Sequence, residues 1–580
     1  MAKKLLTQNI NMVWSCLIIE ELIKNKIDTF FISPGSRNSP LISALVYNDD
    51  AIKISVIDER AAAFCALGYA KAKGKPAVVI CTSGTALSNY YPAVIEAYRD
   101  ELPIIVLSAD RPPELVDSDA NQTIDQIKIF GKFSIKNLIL PCPTVEYPLN
   151  TLVSKIDYIT SIKSGPVHIN CPFREPLSPI ENYTALDGDY IIQSAKLFNS
   201  KIPYSCYNDI KKISYDLTDI KKIIEASKKG LIAIGRIGIF EDINKIKDFL
   251  NQIEWPVFCD ISSSLKWIVP SSMQIFSFDH PLSVQTLKQY SPDTILQLGT
   301  ALVSTQYYKT ILNNDVQNII LVSEKRGYRD PSHKVNIQIK TSISSFIDSI
   351  DIKNNDTKQD KSSTKILFDS LNNLYSELKK NTPNEVLSFP IIAEIINQEI
   401  QEKEALFIGN SIVIRAFDSL LSAKPKQVSI ISNRGVSGIE GNIATSIGYA
   451  KGSGSKVTAV IGDISFLHDL NSLFTLKELQ NSSVIIIVIN NQGGRIFERL
   501  PINNFPEIMT PYMTTPHNMN FKSIAEQFSI PYFIALTPLE FKKSYNEALN
   551  KNTNCLIEAA ISPNSDLKIY RDRINISHFM

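Results

Sequence analysis

Short runs of β-branched and other apolar residues recur along the chain, and stretches with the apolar periodicity of helices separate them. Most runs end in a small or polar residue, which is typical of buried parallel strands that alternate with helices. The sequence therefore predicts an α/β protein built from open parallel sheets. In such sheets ligands bind outside the carboxyl ends of the strands, so the residues that follow each run are the candidates for function.

The predicted strands fall into three groups, which predicts three domains for a 580-residue chain that is too long for one core. The first group contains Asp28–Ser33, Lys53–Asp58, Ala77–Gly84 and Pro103–Asp110, and it closes near Gly165–Leu177. The second contains Gly230–Gly238, Trp255–Asp260, Thr294–Thr300 and Asn318–Lys325. The third contains Ala405–Ser411, Val428–Gly435, Val457–Asp463 and Val484–Asn491.

Two polar, charge-rich segments separate these groups and are linker candidates: Tyr183–Asp209 and Asp351–Thr364. We therefore predict a first domain over residues 1–182, a central Rossmann-like domain over 205–350, a linker region over 351–384 and a third domain over 385–580. Distinctive polar motifs follow the strands of the first and third groups only. The candidate chemistry therefore lies in the two outer domains.

Charge and composition indicate which kinds of molecule the protein is expected to bind and where it is expected to be found. With 60 Lys and Arg against 59 Asp and Glu, the net charge of +1 favours neither nucleic acid nor an anionic membrane surface. The N-terminus lacks a secretory signal pattern, and the longest apolar runs are strand-sized. The eight cysteines form no closely spaced pair, so buried free thiols in a reducing compartment are expected. We predict a cytoplasmic protein that binds small molecules, with no nucleic acid partner and no stable membrane association.

The sharpest motif is Gly462–Ser465 after one predicted strand, followed roughly thirty residues later by Asn490–Gly493 after the next. A magnesium ion that carries a diphosphate prefers hard oxygen ligands in octahedral geometry. One carboxylate, one amide oxygen and one backbone carbonyl supply a suitable set. The predicted metal ligands are therefore Asp463, Asn491 and the carbonyl of Gly493.

The same motif predicts a diphosphate site. Gly462, Ile464 and Ser465 would lie against the phosphates, where a helix expected to start near Ser465 directs its N-terminal NH groups. Either half of the motif alone is usually an ordinary turn. In this order and spacing, however, the two halves resemble the GDG and NN motif of thiamine diphosphate (ThDP) enzymes, with Ile464 in place of the last glycine.

Thiamine catalysis needs a partly buried acid that hydrogen-bonds the pyrimidine ring of the cofactor. Glu59 fits, because it is predicted to end a strand and to precede a small-residue helix, Ala61–Ala72, that can pack closely against a partner surface. A lone glutamate at a strand end is usually solvated. Glu59 and the metal motif, however, lie in different domains, as in thiamine enzymes, where these domains come from different subunits. The resemblance implies an active site between two chains of a homodimer or homotetramer.

Eight motifs resemble one family of these enzymes, the 2-succinyl-5-enolpyruvyl-6-hydroxy-3-cyclohexene-1-carboxylate synthases of menaquinone biosynthesis. They are Ser33–Leu41, Asp58–Lys71, Cys81–Ala97, Ser108–Leu115, Asn121–Gln126, Gly409–Arg415, Ser432–Gly441 and Asn490–Phe497, spread over nearly the whole chain. The resemblance implies the three α/β domains of pyruvate oxidase and decarboxylase-like ThDP enzymes, in the order pyrimidine-binding, central and diphosphate-binding.

The resemblance also implies the reaction, which is that of a carbon-carbon bond-forming transferase of the transketolase type. It decarboxylates 2-oxoglutarate and adds the succinyl carbanion equivalent to isochorismate in a Stetter-like 1,4-addition, with release of CO₂. The implied cofactors are ThDP and Mg²⁺ or Mn²⁺.

Both substrates are dicarboxylates, which cationic and preferably bidentate side chains bind best. Four arginines follow predicted strands, although a single arginine is as often a surface ion-pair residue. By resemblance, Arg415 and Arg434 with Ser411 hold the group derived from 2-oxoglutarate. Catalysis is assigned to Glu59, Ser411 and Arg415. Isochorismate is assigned to Arg37, Arg111, Asn121 and Gln122. The remaining substrate contacts are Ser36, Asn410, Arg434, Phe497 and Leu500.

Apolar residues complete the implied site. Ile439, which follows Gly438, resembles the bulky residue that keeps ThDP bent. Ile496, Phe497 and Leu500 resemble the apolar wall around the thiazolium ring and the acceptor, where low polarity favours decarboxylation. The alternative for these three residues is ordinary core packing.

The central domain departs from the family pattern, which often has a cation shortly after the glycine of one strand. Ser304 and Thr305 stand there in this sequence, and the first cation is Lys309. Arg326 and Arg329 are alternatives without a strong motif. The contribution of the central domain to acceptor binding therefore stays open.

Other functions are less consistent with the residues. Acetohydroxyacid synthases, oxalyl-CoA decarboxylases and pyruvate decarboxylases share the domain order, but they do not explain Ser33–Arg37 or Ser432–Gly441. The six histidines include no adjacent pair, so histidine catalysis is not expected and each is interpreted as structural or exposed. A non-catalytic nucleotide-binding protein is the alternative of another class, with Gly235–Gly238 as its weak motif. The combination of Glu59 with the metal motif favours catalysis.

Overall fold

The computed structural model describes residues 3–181, 186–207, 216–270, 272–275, 281–313, 315–327, 329–352, 357–380, 385–420 and 427–563. In these residues the chain forms three six-stranded parallel sheets, and helices connect their strands. Strands covered by helices on both faces are apolar throughout, which explains the continuous β-branched runs of the sequence. The predicted α/β class with three open parallel-sheet domains is confirmed.

The first sheet has the strand order β2-β1-β3-β4-β6-β5. Its strands are β1 Thr29–Ile32, β2 Ile52–Ser55, β3 Ala77–Cys81, β4 Ile104–Asp110, β5 Lys136–Ile139 and β6 Val167–Pro172. The helices of this segment are Ile10–Lys24, Ser39–Val46, Glu59–Lys73, Thr85–Ser88, Tyr91–Asp100, Leu149–Thr160 and Gly188–Asn199. Strands β3 and β4 are buried along their whole length, so they form the centre of this core.

The second sheet has the order β12-β11-β10-β7-β8-β9. Its strands are β7 Gly230–Ile234, β8 Val257–Cys259, β9 Gln274–Ile275, β10 Thr294–Leu298, β11 Asn318–Val322 and β12 Ile337–Ile339. The helices are Thr218–Ala226, Ile243–Ile253, Pro281–Tyr290, Thr305–Asn313, Ile343–Ile350 and Lys361–Lys380.

The third sheet has the order β14-β13-β15-β16-β18-β17. Its strands are β13 Ala405–Ile408, β14 Ser429–Ile431, β15 Val457–Gly462, β16 Val484–Asn490, β17 Tyr532–Ala535 and β18 Cys555–Ala560. The helices are Phe389–Glu399, Ile412–Leu420, Asn442–Ser453, Asp463–His468, Lys522–Gln527 and Pro538–Asn550. Because β15 and β16 are neighbours, the residues that follow them lie at the same edge of the sheet.

Two compact units can be distinguished. The first unit comprises residues 1–211, 433–455 and 467–484, and the second comprises 212–432, 456–466 and 485–580. Both predicted linkers lie partly outside the described residues, as do the domain ends predicted at 182, 384 and 580. Within the predicted linker region 351–384, Lys361–Lys380 forms a helix. The domain boundaries stay predictions.

In the first unit, helix Glu59–Lys73 packs against helix Asn442–Ser453 with very little space between the backbones. A Cβ atom added to Gly68 would lie 2.0 Å from the carbonyl oxygen of Thr445, and one added to Gly448 would lie 1.8 Å from the carbonyl oxygen of Cys65. The small residues of the sequence therefore serve a close helix contact, as predicted. The surface that the first helix meets is a helix of the same chain.

A Gly68→Ala variant is expected to be less stable by about 1–3 kcal/mol, because the added methyl group forces the two helices apart. The matched control is Gly188→Ala, since a Cβ atom added to Gly188 meets nothing within 4 Å. Differential scanning calorimetry should show a lower unfolding temperature for the first variant only. Equal unfolding temperatures for the two variants would contradict the close contact.

A buried ion pair joins the central segment to the third-sheet segment inside the second unit. Lys266 and Asp418 have fully buried side chains, and the Lys266 ammonium lies 3.1 Å from Asp418 Oδ1. It also donates to the Asp418 carbonyl oxygen at 2.7 Å, while the backbone NH of Ile261 donates to Asp418 Oδ1 at 2.8 Å. These bonds fix helix Ile412–Leu420, which carries Asp418, to the turn after β8.

Two expectations from composition can be compared with the structure. All eight cysteines are free, and seven are buried, but Cys206 is exposed, so the expectation of a buried thiol is wrong at that position. The reason is that Cys206 lies outside the strands and helices, just before the undescribed residues 208–215. Over the described ranges, no helix has the length and apolar character needed to cross a membrane.

Candidate active site

Asp463 is the centre of a polar cluster at the edge of the third sheet. Its side chain is buried, and its carboxylate accepts hydrogen bonds from the backbone NH groups of Asn491 at 3.2 Å and Gly493 at 2.9 Å. It also accepts from the NH of Ile464 at 2.7 Å. The structure therefore brings together the three residues predicted as metal ligands. Burial raises the pKa of Asp463, whereas these NH groups and the nearby His517 oppose that rise.

The backbone around Asp463 suits a diphosphate and its metal ion. A Cβ atom added to Gly462 meets nothing within 4 Å, so the backbone is open to a ligand there. Gly493 has a φ of 134°, and a Cβ atom on it would lie 2.6 Å from the carbonyl oxygen of Thr514. Glycine is required there by both conformation and space. A buried carboxylate, an amide and a glycine backbone at one strand edge fit Mg²⁺ with a diphosphate.

The helix that follows this strand begins at Asp463 rather than near Ser465, where it was expected. The chain turns directly from β15 into the helix Asp463–His468, and the Asp463 carboxylate accepts the NH of the next residue. Ser465 is buried and Ile464 is partly buried on its first turn. The predicted diphosphate-binding residues are thus adjacent, but the expected boundary is wrong by two residues.

Glu59 does not end a strand, as was predicted, but is the first residue of helix Glu59–Lys73. Strand β2 ends at Ser55, and Asp58 caps the helix because its carboxylate accepts the NH of Ala61 at 3.2 Å. Glu59 is half-buried, and burial raises the pKa of its carboxyl group. Its charge contributes, after burial, to the raised pKa of buried Cys81, so the carboxyl group faces the carboxyl end of the first sheet.

The residues predicted to hold isochorismate lie together at the carboxyl end of the first sheet. Arg37 is buried and donates to the carbonyl oxygen of Phe173 at 2.9 Å, and its Nε has no hydrogen-bond partner among the described residues. Burial lowers the pKa of Arg37, and the charge of Arg111 lowers it further. The charges of Glu175 and Asp110 oppose this lowering, and Arg37 Nη2 lies 3.4 Å from Glu175 Oε1, whose side chain is 70% exposed. The two neighbouring guanidinium groups still favour an anionic ligand.

Arg111 is partly buried and donates from Nε and Nη2 to the carbonyl oxygen of Asn121, at 3.2 and 3.0 Å. Gln122 has a φ of 60° and accepts at its carbonyl oxygen from the hydroxyl of Ser83 at 3.0 Å. These bonds hold the loop of Asn121 and Gln122 beside Arg111. Ser36, a further predicted substrate contact, is exposed, and its carbonyl oxygen accepts from the hydroxyl of Ser39.

The segment after β13 carries three predicted residues of the second unit. Asn410 is buried, and Ser411 has a φ of 70°, a left-handed conformation that serines rarely adopt. Arg415, one turn into helix Ile412–Leu420, donates from Nη1 to the carbonyl oxygen of Ser411 at 2.7 Å. The arginine therefore braces the strained turn that presents Ser411.

The loop with Arg434, Gly438 and Ile439 follows β14, and its residues from 433 onward belong to the first unit. All three predicted residues are partly buried. The side chain of Asn442 donates to the carbonyl oxygen of Ile439 at 2.9 Å, which fixes the end of the loop to the helix that follows.

The apolar residues predicted as a wall differ in burial. Ile496 packs against the core of the third sheet, and Phe497 is partly buried in the short helix Arg495–Arg499. Leu500 is 50% exposed. Core packing therefore accounts for Ile496, whereas Leu500 presents an apolar surface.

In the central domain, the serine at the position of the expected cation and the three nearby cations differ in burial and hydrogen bonding. Ser304 is buried and its hydroxyl accepts the NH of Tyr307 at 3.2 Å, so it caps helix Thr305–Asn313. Lys309 and Arg326 are exposed, and Arg329 donates to the carbonyl oxygen of Arg326 at 2.9 Å.

Three residues of the site neighbourhood were not predicted. His517 Nε2 lies 3.3 Å from Asp463 Oδ2, and Arg495 donates to the carbonyl oxygen of Asn491 at 2.6 Å. Glu96 accepts hydrogen bonds from the loop that carries Arg434. Arg495 lies two residues after the Asn490–Gly493 motif, which was an available signal, whereas nothing in the spacing of His517 or Glu96 points to these contacts.

Comparisons with known proteins agree with this arrangement. Three family models match in order: "Thiamine pyrophosphate enzyme, N-terminal TPP binding domain" over residues 12–129, "Middle domain of thiamine pyrophosphate" over 190–408, and "Thiamine pyrophosphate enzyme, C-terminal TPP binding domain" over 414–559. The fold and the strand-end site define a ThDP-dependent enzyme.

Curated relatives narrow the class. A protein of Syntrophus aciditrophicus (strain SB) named 2-succinyl-5-enolpyruvyl-6-hydroxy-3-cyclohexene-1-carboxylate synthase is 47% identical over 98% of this chain and 99% of its own length. A protein of the same name from Chlorobium phaeobacteroides (strain BS1) is 37% identical over 98% of both chains. Another, from Pelodictyon phaeoclathratiforme, is 35% identical over 95% of this chain and 93% of its own length. The chain belongs to this synthase family.

Proposed function

We propose that the protein makes 2-succinyl-5-enolpyruvyl-6-hydroxy-3-cyclohexene-1-carboxylate from 2-oxoglutarate and isochorismate, with release of CO₂, as a step of menaquinone biosynthesis. The observation that carries the proposal is the cationic site of the first unit. Arg37 is buried near the positive charge of Arg111, and its Nε has no hydrogen-bond partner among the described residues. Arg37 Nη2 lies 3.4 Å from Glu175 Oε1, and a dicarboxylate would supply further anionic oxygens to the two guanidinium groups.

Residues of both compact units would bind ThDP. When bound, ThDP supplies an electron sink for the electron pair left by the loss of CO₂. Glu59 would hydrogen-bond the pyrimidine ring of the cofactor and hold a proton there. Gly438 and Ile439 would support the bent cofactor, and Gly462 with Ser465 would approach its diphosphate.

Substrate recognition would be divided between two sets of residues. Arg415 and Arg434, with Asn410 and Ser411, would bind the carboxylates of 2-oxoglutarate and orient its carbonyl. Isochorismate would bind to Arg37, Arg111, Asn121 and Gln122, with Ser36 as a further substrate contact, and its ring would meet Phe497 and Leu500. Exclusion of water by the apolar side chains would favour loss of CO₂. The partly exposed Leu500 is the surface available for that contact.

The metal ion would be Mg²⁺ or Mn²⁺, held by Asp463, Asn491 and the carbonyl of Gly493. An Asp463→Asn variant is expected to need at least about tenfold more Mg²⁺ to bind ThDP, because a neutral amide replaces the charged ligand. Quenching of intrinsic fluorescence by ThDP, titrated with Mg²⁺, measures this without turnover. The control is Asp369→Asn, at an exposed position of helix Lys361–Lys380. An unchanged Mg²⁺ requirement in the Asp463 variant would contradict the ligand assignment.

We also propose a cytoplasmic homodimer or homotetramer in which each active site combines two chains. The proposal rests on the resemblance to ThDP enzymes, in which the domains that carry Glu59 and Asp463 come from different subunits; in this chain the two residues belong to different compact units. Mixing inactive Glu59→Gln and Asp463→Asn chains after joint refolding would restore activity only if sites are shared between chains.

The reaction itself is tested with purified protein, ThDP and Mg²⁺. Isochorismate absorbance and CO₂ release are followed with and without 2-oxoglutarate. Loss of isochorismate that requires 2-oxoglutarate and equals the CO₂ released would support the proposal. Release of CO₂ without consumption of isochorismate would show that the acceptor is wrong. With verified cofactor binding, the absence of both signals would reject the two substrates.

A further inference from the structure

Glu96 connects a helix of the first sheet to the loop that carries Arg434. It lies on helix Tyr91–Asp100, and its side chain is only 1% exposed. One carboxylate oxygen accepts the backbone NH of Gly435 at 2.7 Å, and the other accepts the backbone NH of Val436 at 2.7 Å. Both oxygens are therefore engaged with two consecutive residues of one loop.

The loop depends on such contacts for its conformation. Residues 432–441 form neither helix nor strand, so no regular ladder of hydrogen bonds fixes them. Ser437 has a φ of 63°, a conformation that side chains other than glycine rarely adopt. A backbone of this kind persists only where its surroundings determine it. Glu96 supplies two of those bonds directly after Arg434 and three residues before Ile439.

The electrostatic surroundings of Glu96 are unusual for a surface helix. Burial raises the pKa of its carboxyl group and the charge of Asp100, one turn away, raises it further, while Lys71 and the two loop NH groups oppose the rise. The Lys71 ammonium lies 2.6 Å from Asp100 Oδ2. Burying the Glu96 carboxylate beside that of Asp100 costs free energy unless both are compensated. The two loop NH groups compensate Glu96, and the Lys71 ammonium compensates Asp100.

We propose that Glu96 is a positioning residue for substrate binding, which holds Gly435 and Val436 so that Arg434 meets a carboxylate of 2-oxoglutarate. The inference rests on the proposed function, because it takes Arg434 as a ligand of that substrate. Glu96 itself does not contact the reacting atoms in this assignment. Its effect passes through the backbone of two residues.

The first test is a Glu96→Gln variant of the full-length protein with ThDP and Mg²⁺. Glutamine keeps the shape but retains one acceptor oxygen, and its NH₂ group opposes the second loop NH. Amide hydrogen exchange of the peptide that contains Gly435 and Val436 should become about tenfold faster. The KM for 2-oxoglutarate should rise by about fivefold or more, with less than about twofold change in the KM for isochorismate.

The matched control is Asp100→Asn, which changes the other carboxylate of the same buried group, whose Oδ2 accepts from Lys71. Both variants should lower the unfolding temperature, but only the Glu96 variant should raise the KM for 2-oxoglutarate. If both raise it equally, or if the Glu96 variant exchanges faster with an unchanged KM, the positioning role is wrong. Glu96→Asp, which keeps the charge but is shorter, should give an intermediate KM if the glutamine variant does not fold.

An Arg434→Lys variant separates this inference from the function it rests on. If that variant leaves the KM for 2-oxoglutarate unchanged, the role of Arg434 fails, whatever the Glu96 variant does. If the Arg434 variant raises the KM and the Glu96 variant does not, the positioning role alone is overturned. The exchange measurement needs no substrate, so it tests the contact even if the unmodified enzyme does not consume isochorismate.

Discussion

Replacement of Glu59 by glutamine is expected to lower kcat by about 10²- to 10⁴-fold, the range associated with a lost acid-base group. Glu59 begins a helix, is half-buried, and has its pKa raised by burial, which suits a carboxyl group that holds a proton against the cofactor. A glutamine side chain has the same size but cannot take part in proton exchange. ThDP should therefore still bind, as measured by fluorescence quenching, while consumption of isochorismate falls.

The control for this variant is Asp58→Asn, which changes the neighbouring carboxylate. Asp58 caps the helix, and asparagine is an equally good cap, so the helix should begin at the same residue. Activity within a fewfold of the unmodified enzyme is expected. Full turnover in Glu59→Gln with bound ThDP would reject Glu59 as the activating acid, and loss of ThDP binding would show that the residue serves binding instead.

The second large effect is expected from Lys266→Met, which should destabilise the second unit by about 3–5 kcal/mol because it leaves the Asp418 carboxylate buried without its cation. Both side chains are fully buried, so water does not replace the lost partner. Scanning calorimetry should show a lower unfolding temperature. The double variant Lys266→Met/Asp418→Asn removes both charges and should recover part of the loss.

An exposed pair of the same segment is the control. Lys245 lies 2.8 Å from Asp348, with side chains that are 34% and 64% exposed. Because solvent screens such pairs, Lys245→Met should leave the unfolding temperature nearly unchanged. Equal effects of the two single variants, or a double variant that is no better than Lys266→Met, would show that the buried pair does not stabilise the unit in the way described.

The central strands of each sheet could be predicted because helices cover both of their faces, so that most of their side chains are apolar. Each predicted strand run overlaps a strand, and the closing run Gly165–Leu177 contains β6. The strands that were not predicted are β5, β9, β12, β17 and β18. The first four are short or partly exposed and lie at sheet edges, and β5, β9 and β12 lack a continuous apolar run, whereas β17 has one that was not recognised.

Strand β18 was missed for a different reason. It is buried, but Glu558 stands within it, and a charged residue normally indicates an exposed position. The structure explains the exception, because the Glu558 carboxylate accepts from Asn490, from the NH of Phe521 and from the hydroxyl of Tyr532, each at 2.8 Å. Such compensation depends on residues that are distant in sequence.

The candidate site was predictable to the extent that it follows strand ends. Asp463 and Asn491 could be placed together because they follow neighbouring parallel strands. Glu96 contacts Gly435, and His517 contacts Asp463, only because of the paths that the loops take in three dimensions. The pattern of apolar residues along the sequence does not predict those paths. The helix begins at Glu59 rather than at the expected Ala61, because the Asp58 carboxylate caps it by accepting the NH of Ala61.

The close contact between helices Glu59–Lys73 and Asn442–Ser453 has a consequence for biosynthesis. The ribosome completes the first helix early, but its partner emerges only after most of the protein has been made. The first unit, which includes residues 433–455 and 467–484, therefore cannot be finished by its N-terminal segment alone. Until residues 442–453 have been made, the nascent protein presents the alanine-rich helix face around Gly68 without its partner helix, a surface that chaperones would have to protect.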